Sequence, residues 1–316
     1  MTSDVVGSRL DWGQVPIHIR NRVATALGSP VVVAVNEAGG FSPGVAARCR
    51  LADGGRCFIK AVSSAQNPDS PGMHRREAAI AAQLPPGLPV PRLLELIDED
   101  GWVVLVFEEV DGGPLALPWS WTDLASTFRA LADLAGAATP CPVAGLPTFA
   151  ERHVEMFSGF RQLADGDPAV GLVDPWTRRH LDRLAELEAG WEVAASGSSL
   201  LHSDLRSDNL LVRSDGSIVV VDWPHACVGV PWVDLVCMLP SIEVDGGPSP
   251  GAIESRLNPF GLELPEEVDR VVVALAGFFT FKGLQPDPPG LPTLRAFQRA
   301  QGDVARTWAA SRLALS

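Results

Sequence analysis

The chain has 316 residues and lacks several features that would each have defined a class. There is no surplus of basic residues: 25 Lys and Arg stand against 38 Asp and Glu, a formal charge of −13 with His neutral. A chain this acidic repels polyanions, so no nucleic-acid partner is expected, whereas a cationic small molecule would be attracted. Cysteine is sparse and unpaired. Cys49, Cys57, Cys141, Cys227 and Cys237 are odd in number and contain no Cys-x-x-Cys pair, so neither a disulfide framework nor a zinc site is expected. They read as small buried hydrophobes in a reducing compartment. No apolar run reaches the ~20 residues of a membrane span. The longest, Val271 to Phe281, is interrupted by Thr280 and ends at Lys282. The opening Met-Thr-Ser-Asp-Val-Val-Gly-Ser-Arg has no basic-then-apolar leader pattern. The expectation is a cytoplasmic protein without a membrane partner, as a monomer or homodimer.

Common catalytic signatures are missing as well. No His-Glu-x-x-His stretch supports a zinc protease of that type. Two Gly-x-Ser-x-Gly matches, at Gly40–Gly44 and Gly247–Gly251, lack the strand, sharp turn and helix that a serine hydrolase requires. The glycine-rich segment Gly39-Gly40-Phe41-Ser42-Pro43-Gly44 is not a P-loop, because Val45-Ala46 stand where Lys and Ser/Thr would follow.

What is present is a folded chain with material for two lobes. Hydrophobic content of 46% and charged content of 20% exclude a disordered protein. Residues 11–28 carry helical spacing. Val31 to Val35, Val45 to Leu51 and Arg56 to Val62 read as strands, the last two joined by an Asp53-Gly54-Gly55 turn. The Gly39–Gly44 loop between the first two strands is either a plain hairpin or a place where backbone N–H groups approach phosphates. An Ala-rich helix from Met73 to Leu84 ends at Pro85-Pro86, and Val103 to Phe107 is a further strand. From Thr122, taken as an N-cap, the pattern turns helical. Helices are expected over 148–163, 175–190, 265–282 and 291–313, with a Gly/Pro-rich loop from Pro240 to Pro250.

The most informative stretch is His202-Ser203-Asp204-Leu-Arg-Ser-Asp208-Asn209, then two β-type runs that end at Asp222-Trp223. A structural hairpin needs Val and Ile on its inner face but not Asp204, Asn209 and Asp222 where the strands end. Phosphoryl transfer does need them: one carboxylate to orient and deprotonate a hydroxyl, and two oxygen ligands to hold Mg²⁺ against phosphates.

His202-x-Asp204-x-x-x-x-Asn209, Val-Val-Asp222-Trp223 and Gly229-Val-Pro-Trp-Val-Asp234-Leu together resemble the aminoglycoside phosphotransferase family. That family is distantly related to protein kinases and includes choline, homoserine, sugar and macrolide kinases. The resemblance implies an α+β, protein-kinase-like two-lobe fold. Residues 1–108 would form an antiparallel nucleotide-binding lobe and 109–316 a mainly helical catalytic and acceptor-binding lobe. It implies ATP and Mg²⁺ as cofactors and a small-molecule hydroxyl as acceptor. Asp204 would be the base, and Asn209 and Asp222 the metal ligands. Gly39, Gly40, Ser42 and Gly44 would form the nucleotide loop, Lys60 and Glu77 the phosphate-holding ion pair, and Glu108 to Val110 the segment whose backbone meets adenine. His202 would organise the loop and Asp234 would brace its amides. Three departures stand out: Ser203 replaces the usual Gly, Pro224 follows Asp-Trp where an acid is common, and Asp208 occupies a commonly small position. Glu243, Asp245 and the overall acidity favour an amino sugar or aminoglycoside over other acceptors. The alternatives are a kinase of another small metabolite and a kinase-like nucleotide-binding module that has lost transfer.

Overall fold

The computed structural model describes residues 9–37, 44–288 and 293–315. The chain divides into two compact units, Met1–Pro114 with Asp208–His225, and Leu115–Ser207 with Ala226–Ser316.

The first unit is built on an antiparallel sheet. A 3-10 turn over Trp12–Gln14 leads to α1 (Ile17–Leu27), which starts after Pro16 and ends at Gly28. The expected single helix over 11–28 is therefore split, because Pro16 removes an amide and resets the backbone. The strands are β1 (Val31–Asn36), β2 (Val45–Leu51), β3 (Arg56–Ser63), β4 (Leu93–Glu99) and β5 (Trp102–Glu108), with α2 (Ser70–Ala81) between β3 and β4. Their spatial order is β1-β2-β3-β5-β4. Strand periodicity explains both faces. Val45, Ala47, Cys49, Cys57, Ile59, Val104 and Val106 pack with Ile19 and Val23 of α1, while Val103, Leu105 and Phe107 pack with Ala78 of α2. Strand β5 is apolar on both faces because it is covered on both. Cys49 and Cys57 oppose each other across β2 and β3 as buried free thiols. Strand β4 has no counterpart in the sequence reading: its Leu-Leu-Glu-Leu-Ile-Asp-Glu run mixes charge into the apolar pattern, as an edge strand permits.

After the short strand β6 (Gly112–Pro114) the chain enters the second unit. Helix α3 (Trp121–Ala137) begins at a Ser120–Asp123 capping box, two residues before the expected Thr122 cap. The expected helix over 148–163 is two pieces, α4 (Phe149–His153) and α5 (Gly159–Ala164). They are separated because α5 meets a later helix backbone to backbone: a Cβ on Gly159 would lie 2.0 Å from the Gly277 carbonyl oxygen. Helices α6 (Pro175–Glu188) and α7 (Trp191–Ala194) and strand β7 (Ser199–Leu201) follow. The wholly buried Glu188 carboxylate accepts the Phe160 and Arg161 amides at 3.0 and 2.8 Å, satisfying the start of α5.

The chain then returns to the first unit for the hairpin β8 (Leu210–Arg213) and β9 (Ile218–Val220), which pairs with β6. It re-enters the second unit at β10 (Cys227–Gly229), antiparallel to β7, and continues with α8 (Trp232–Val244), α9 (Pro250–Glu254), α10 (Val268–Leu284) and α11 (Leu294–Arg312). Helix α8 runs through the buried Pro240 to Val244, so the expected loop begins only at Asp245. The apolar run from Val271 lies in α10, which is buried nearly all round and packs against α5, α6 and α11. No helix among the described residues is long and apolar enough to cross a membrane.

Asp174 caps α6, accepting the Trp176 and Thr177 amides at 3.0 Å and pairing with Arg306 of α11. Burial raises its carboxyl, but the Thr177 bonds and Arg306 outweigh this and hold it below the ordinary value. Its stabilisation is therefore present above the unfolded pKa of about 3.9 and is lost as pH falls through the lower folded value. Asp174→Ala should cost about 1–2 kcal/mol at pH 7. The gap to wild type should shrink toward pH 3 in urea unfolding midpoints.

Candidate active site

Within the first unit the two-residue period of β3 turns Cys57, Ile59 and Ala61 toward α1, leaving Lys60 on the face that α2 covers. Lys60, one of two lysines among the 25 basic residues, donates to Glu77 Oε1 and Oε2 at 2.7 and 2.9 Å and to Asp222 Oδ1 at 2.8 Å. Glu77 also accepts the Trp223 main-chain N–H. Burial opposes charge on Lys60, yet Glu77 and Asp222 prevail and hold the ammonium above its ordinary pKa. Burial likewise pushes the Glu77 carboxyl up, against the pull of Lys60. One helical turn before Glu77, His74 is held neutral by burial and by the Lys60 charge, its pKa pushed down to about 4.

The hairpin explains where the proposed metal ligands emerge. Leu210 opposes Val220, so Asn209, one residue before, and Asp222, two after, leave the paired strands at the same end. The Asn209 carbonyl accepts the Val221 N–H at 3.0 Å. Asn209 is buried, whereas the Asp222 side chain is half exposed and its backbone is left-handed, with φ of +70°. An amide oxygen and a carboxylate are hard ligands that suit Mg²⁺, which keeps waters and phosphate oxygens for its remaining positions. Among the described residues there is no group of three or more His, Cys, Asp and Glu that could hold a metal ion.

Further residues of this unit belong to the expected nucleotide loop or lie near it and the segment after β5. Gly44 buries its backbone so closely that a Cβ would lie 2.3 Å from the Ala61 carbonyl oxygen. Gly39, Gly40 and Ser42 lie outside the described residues. Arg9 was not anticipated from sequence. One guanidinium nitrogen is buried with no hydrogen-bond partner among the described residues, and burial lowers its pKa against the pull of Glu37 and Asp222. A tether of the segment after β5 was also missed. Glu109 accepts from Arg56 at 2.7 and 3.0 Å and from Arg48 at 3.2 Å, and Arg48 also donates to the Val110 carbonyl at 3.0 Å. The Arg56 bonds and those of Arg48 hold the Glu109 carboxyl below its ordinary pKa despite burial. Glu108 is partly exposed, with its amide donating to the Arg92 carbonyl at 2.9 Å.

In the second unit, β7 delivers His202, Ser203 and Asp204. The buried Asp234 carboxylate at the start of α8 accepts the His202 and Ser203 amides at 2.6 and 2.8 Å. Burial pushes its pKa up while those donors and His202 pull it down. The Asp204 N–H donates to His202 Nδ1 at 3.2 Å. Ser203 has φ of +68°, a conformation that costs a non-glycine residue about 1–2 kcal/mol, and its Oγ lies 2.7 Å from His153 Nε2. His153 gave no signal in the sequence, being 50 positions from its partner. At the far end of α8, Asp245 accepts the Ser207 hydroxyl at 2.8 Å.

An antiparallel sheet followed by a mainly helical region is the protein-kinase-like architecture of aminoglycoside phosphotransferases and choline kinase. Residues 40–266 match the model of the Phosphotransferase enzyme family, APH, and the chain belongs to that family. Solved structures of similar fold include an aminoglycoside phosphotransferase from Alicyclobacillus acidocaldarius subsp. acidocaldarius DSM 446, with a TM-score of 0.58 at 15% identity over 89% of this chain and 91% of that one. Choline kinase LicA from Streptococcus pneumoniae superposes with a TM-score of 0.55 at 13% identity, covering 94% and 98%. A thermostable mutant of aminoglycoside phosphotransferase APH(4)-Ia, in ternary complex with ADP and hygromycin B, gives 0.53 at 13% identity, covering 94% and 98%. No curated protein sequence matches the chain.

Lys60→Met should destabilise the protein by roughly 3 kcal/mol in urea unfolding, because it leaves the buried Glu77 without its cation. Adding Glu77→Met should recover part of that loss, since the pair is coupled.

Proposed function

We propose that the protein is an ATP- and Mg²⁺-dependent phosphotransferase that moves the γ-phosphoryl group to a hydroxyl of a small molecule. The observation that carries this reading is the ammonium of Lys60 shared between Glu77 and Asp222. A structural salt bridge needs one partner. The second carboxylate, half exposed and at a hairpin end beside Asn209, is what a lysine facing phosphates and their metal requires. Structures of similar fold in complex with ADP, AMP-PNP and AMP support the same donor.

The roles follow from the chemistry. Bound Mg·ATP supplies the group to be transferred. Lys60, oriented by Glu77, faces the α- and β-phosphates, with Gly39, Gly40, Ser42 and Gly44 contributing loop amides. Asn209 and Asp222 hold the metal, and the backbone from Glu108 to Val110 meets the base. Asp204 orients the acceptor hydroxyl and accepts its proton, on a loop braced by Asp234. In this reading residues 1–108 are the nucleotide-binding lobe, and 109–316 the catalytic and acceptor-binding lobe.

The favoured acceptor is an aminoglycoside or other amino sugar. Glu243 and Asp245 at the end of α8 add carboxylates to the unit that holds Asp204, which suits a cation. Choline is also cationic, and a choline kinase is among the structural neighbours, so an amino alcohol is the second reading.

Purified protein with Mg²⁺ and ATP should phosphorylate at least one member of a panel of aminoglycosides, macrolides, hexoses, choline and homoserine. Absence of both transfer and slow ATP hydrolysis would leave only a nucleotide-binding module. Asp204→Ala should lower turnover ~10²–10⁴-fold and leave nucleotide binding nearly intact. Because Lys282 is the other lysine, amine-directed labelling read by mass spectrometry should show Mg·ATP protecting Lys60 and not Lys282.

A further inference from the structure

The residue before the proposed base sits in a backbone conformation that glycine would adopt without strain. Ser203 has φ of +68°, and two contacts hold it there: its amide donates to Asp234 Oδ1 at 2.8 Å, and its Oγ lies 2.7 Å from His153 Nε2. The serine hydroxyl can donate to a neutral ring nitrogen or accept from a protonated one, so the contact with His153 survives either tautomer.

His153 is fixed independently of the loop it touches. Its ring lies 4.3 Å from that of Phe149 and stacks at 5.5 Å on Phe157, and both phenylalanines pack edge-on against the fully buried Trp191. The segment leading into α4 is tied to β10: Thr148 pairs with Val228, and the Val228 amide donates to the Pro147 carbonyl at 2.9 Å. Strand β10 pairs in turn with β7, which runs directly into His202. The histidine therefore approaches Ser203 from a rigid aromatic cluster anchored to the same small sheet.

We propose that His153 is a positioning residue for phosphoryl transfer. By hydrogen-bonding Ser203 it holds the left-handed turn that a glycine would adopt unaided, and so fixes the direction in which the Asp204 carboxylate leaves the loop. This rests on the reading of Asp204 as the base. Pinning residue 203 sets the peptide plane from which residue 204 starts, and a displacement of about 1 Å at a reacting group is enough to cost on the order of 10²-fold in rate.

The test uses the full chain and four variants: Ser203→Ala, Ser203→Gly, His153→Phe and the double variant His153→Phe with Ser203→Gly. Ser203→Ala keeps the Cβ and loses the hydrogen bond, so kcat for ATP turnover should fall roughly 10- to 100-fold with the nucleotide KM within about twofold. His153→Phe retains ring packing and should do the same. Ser203→Gly should turn over roughly fivefold faster than Ser203→Ala, because glycine adopts the turn unaided. In that glycine background His153→Phe should have little further effect. An unchanged kcat in Ser203→Ala, or an equal loss from His153→Phe in both backgrounds, would reduce His153 to a packing residue and overturn the proposal. Hydrogen–deuterium exchange over residues 200–207 reads the loop without turnover: faster exchange in Ser203→Ala with the rest of the chain unaltered supports the contact, and equal rates refute it. A wild-type chain that neither hydrolyses ATP nor phosphorylates any acceptor defeats the phosphotransferase reading, while the exchange comparison still decides the role of His153 in holding the loop.

Discussion

One ammonium group divided between two carboxylates is the interaction on which the first unit depends. A buried charge is costly unless its partners are close and its hydrogen bonds complete, and Lys60 meets that condition through Glu77 and Asp222. Its consequences spread outward. The pairing sets the face of β3 that α2 must cover, and therefore the alternation that sends Cys57, Ile59 and Ala61 to the other core. It also joins β3 and α2, which are neighbours in the chain, to the segment just beyond β9, 162 positions from Lys60. Asp222 is the most exposed member of the trio, its side chain half exposed.

Elsewhere the protein uses buried or half-buried carboxylates as anchors for main-chain amides. Asp234 takes two amides of the loop that carries Asp204, Glu188 takes two at the start of α5, and Asp174 takes two at the start of α6. Each arrangement converts a desolvation cost into a directional restraint, because the carboxylate has few other ways to satisfy its oxygens. The acidity of the chain is thus partly structural. Some of the 38 acidic residues fix backbone and are not available to attract a ligand.

Much of the framework was legible because it is local. The β-branched run of β1, the Asp53-Gly54-Gly55 turn between β2 and β3 and the acids flanking the β8–β9 hairpin follow from short-range pattern and turn chemistry. Lys60 and Glu77 were readable as a pair through the family resemblance, although only the geometry shows Asp222 joining them. What was not legible is set by tertiary contact. Strand β4 hides its period behind edge charges, α4 and α5 are parted by a close approach to Gly277, and Pro240 lies inside a helix that its neighbours bury. His153, Arg9 and the Arg48–Arg56 clasp on Glu109 act across distances at which sequence carries no periodic signal. Ser203 is the instructive case. The substitution was visible as a departure from the family pattern, but its compensation, a histidine on a five-residue helix, was not.

The interleaved connectivity of the two units bears on how the protein is made. The first unit is left at Pro114 and completed only by Asp208–His225. During synthesis, a ribosome that has released the first 200 residues has released Lys60, Glu77 and the whole five-stranded sheet, but neither the hairpin that pairs with β6 nor Asp222. The nascent unit must therefore wait with a lysine balanced by a single carboxylate, and with β6, which lies outside the five-stranded sheet, unpartnered while nearly a hundred residues of the other unit emerge. For that interval the growing chain carries an open edge of the kind that recruits chaperones or misfolds.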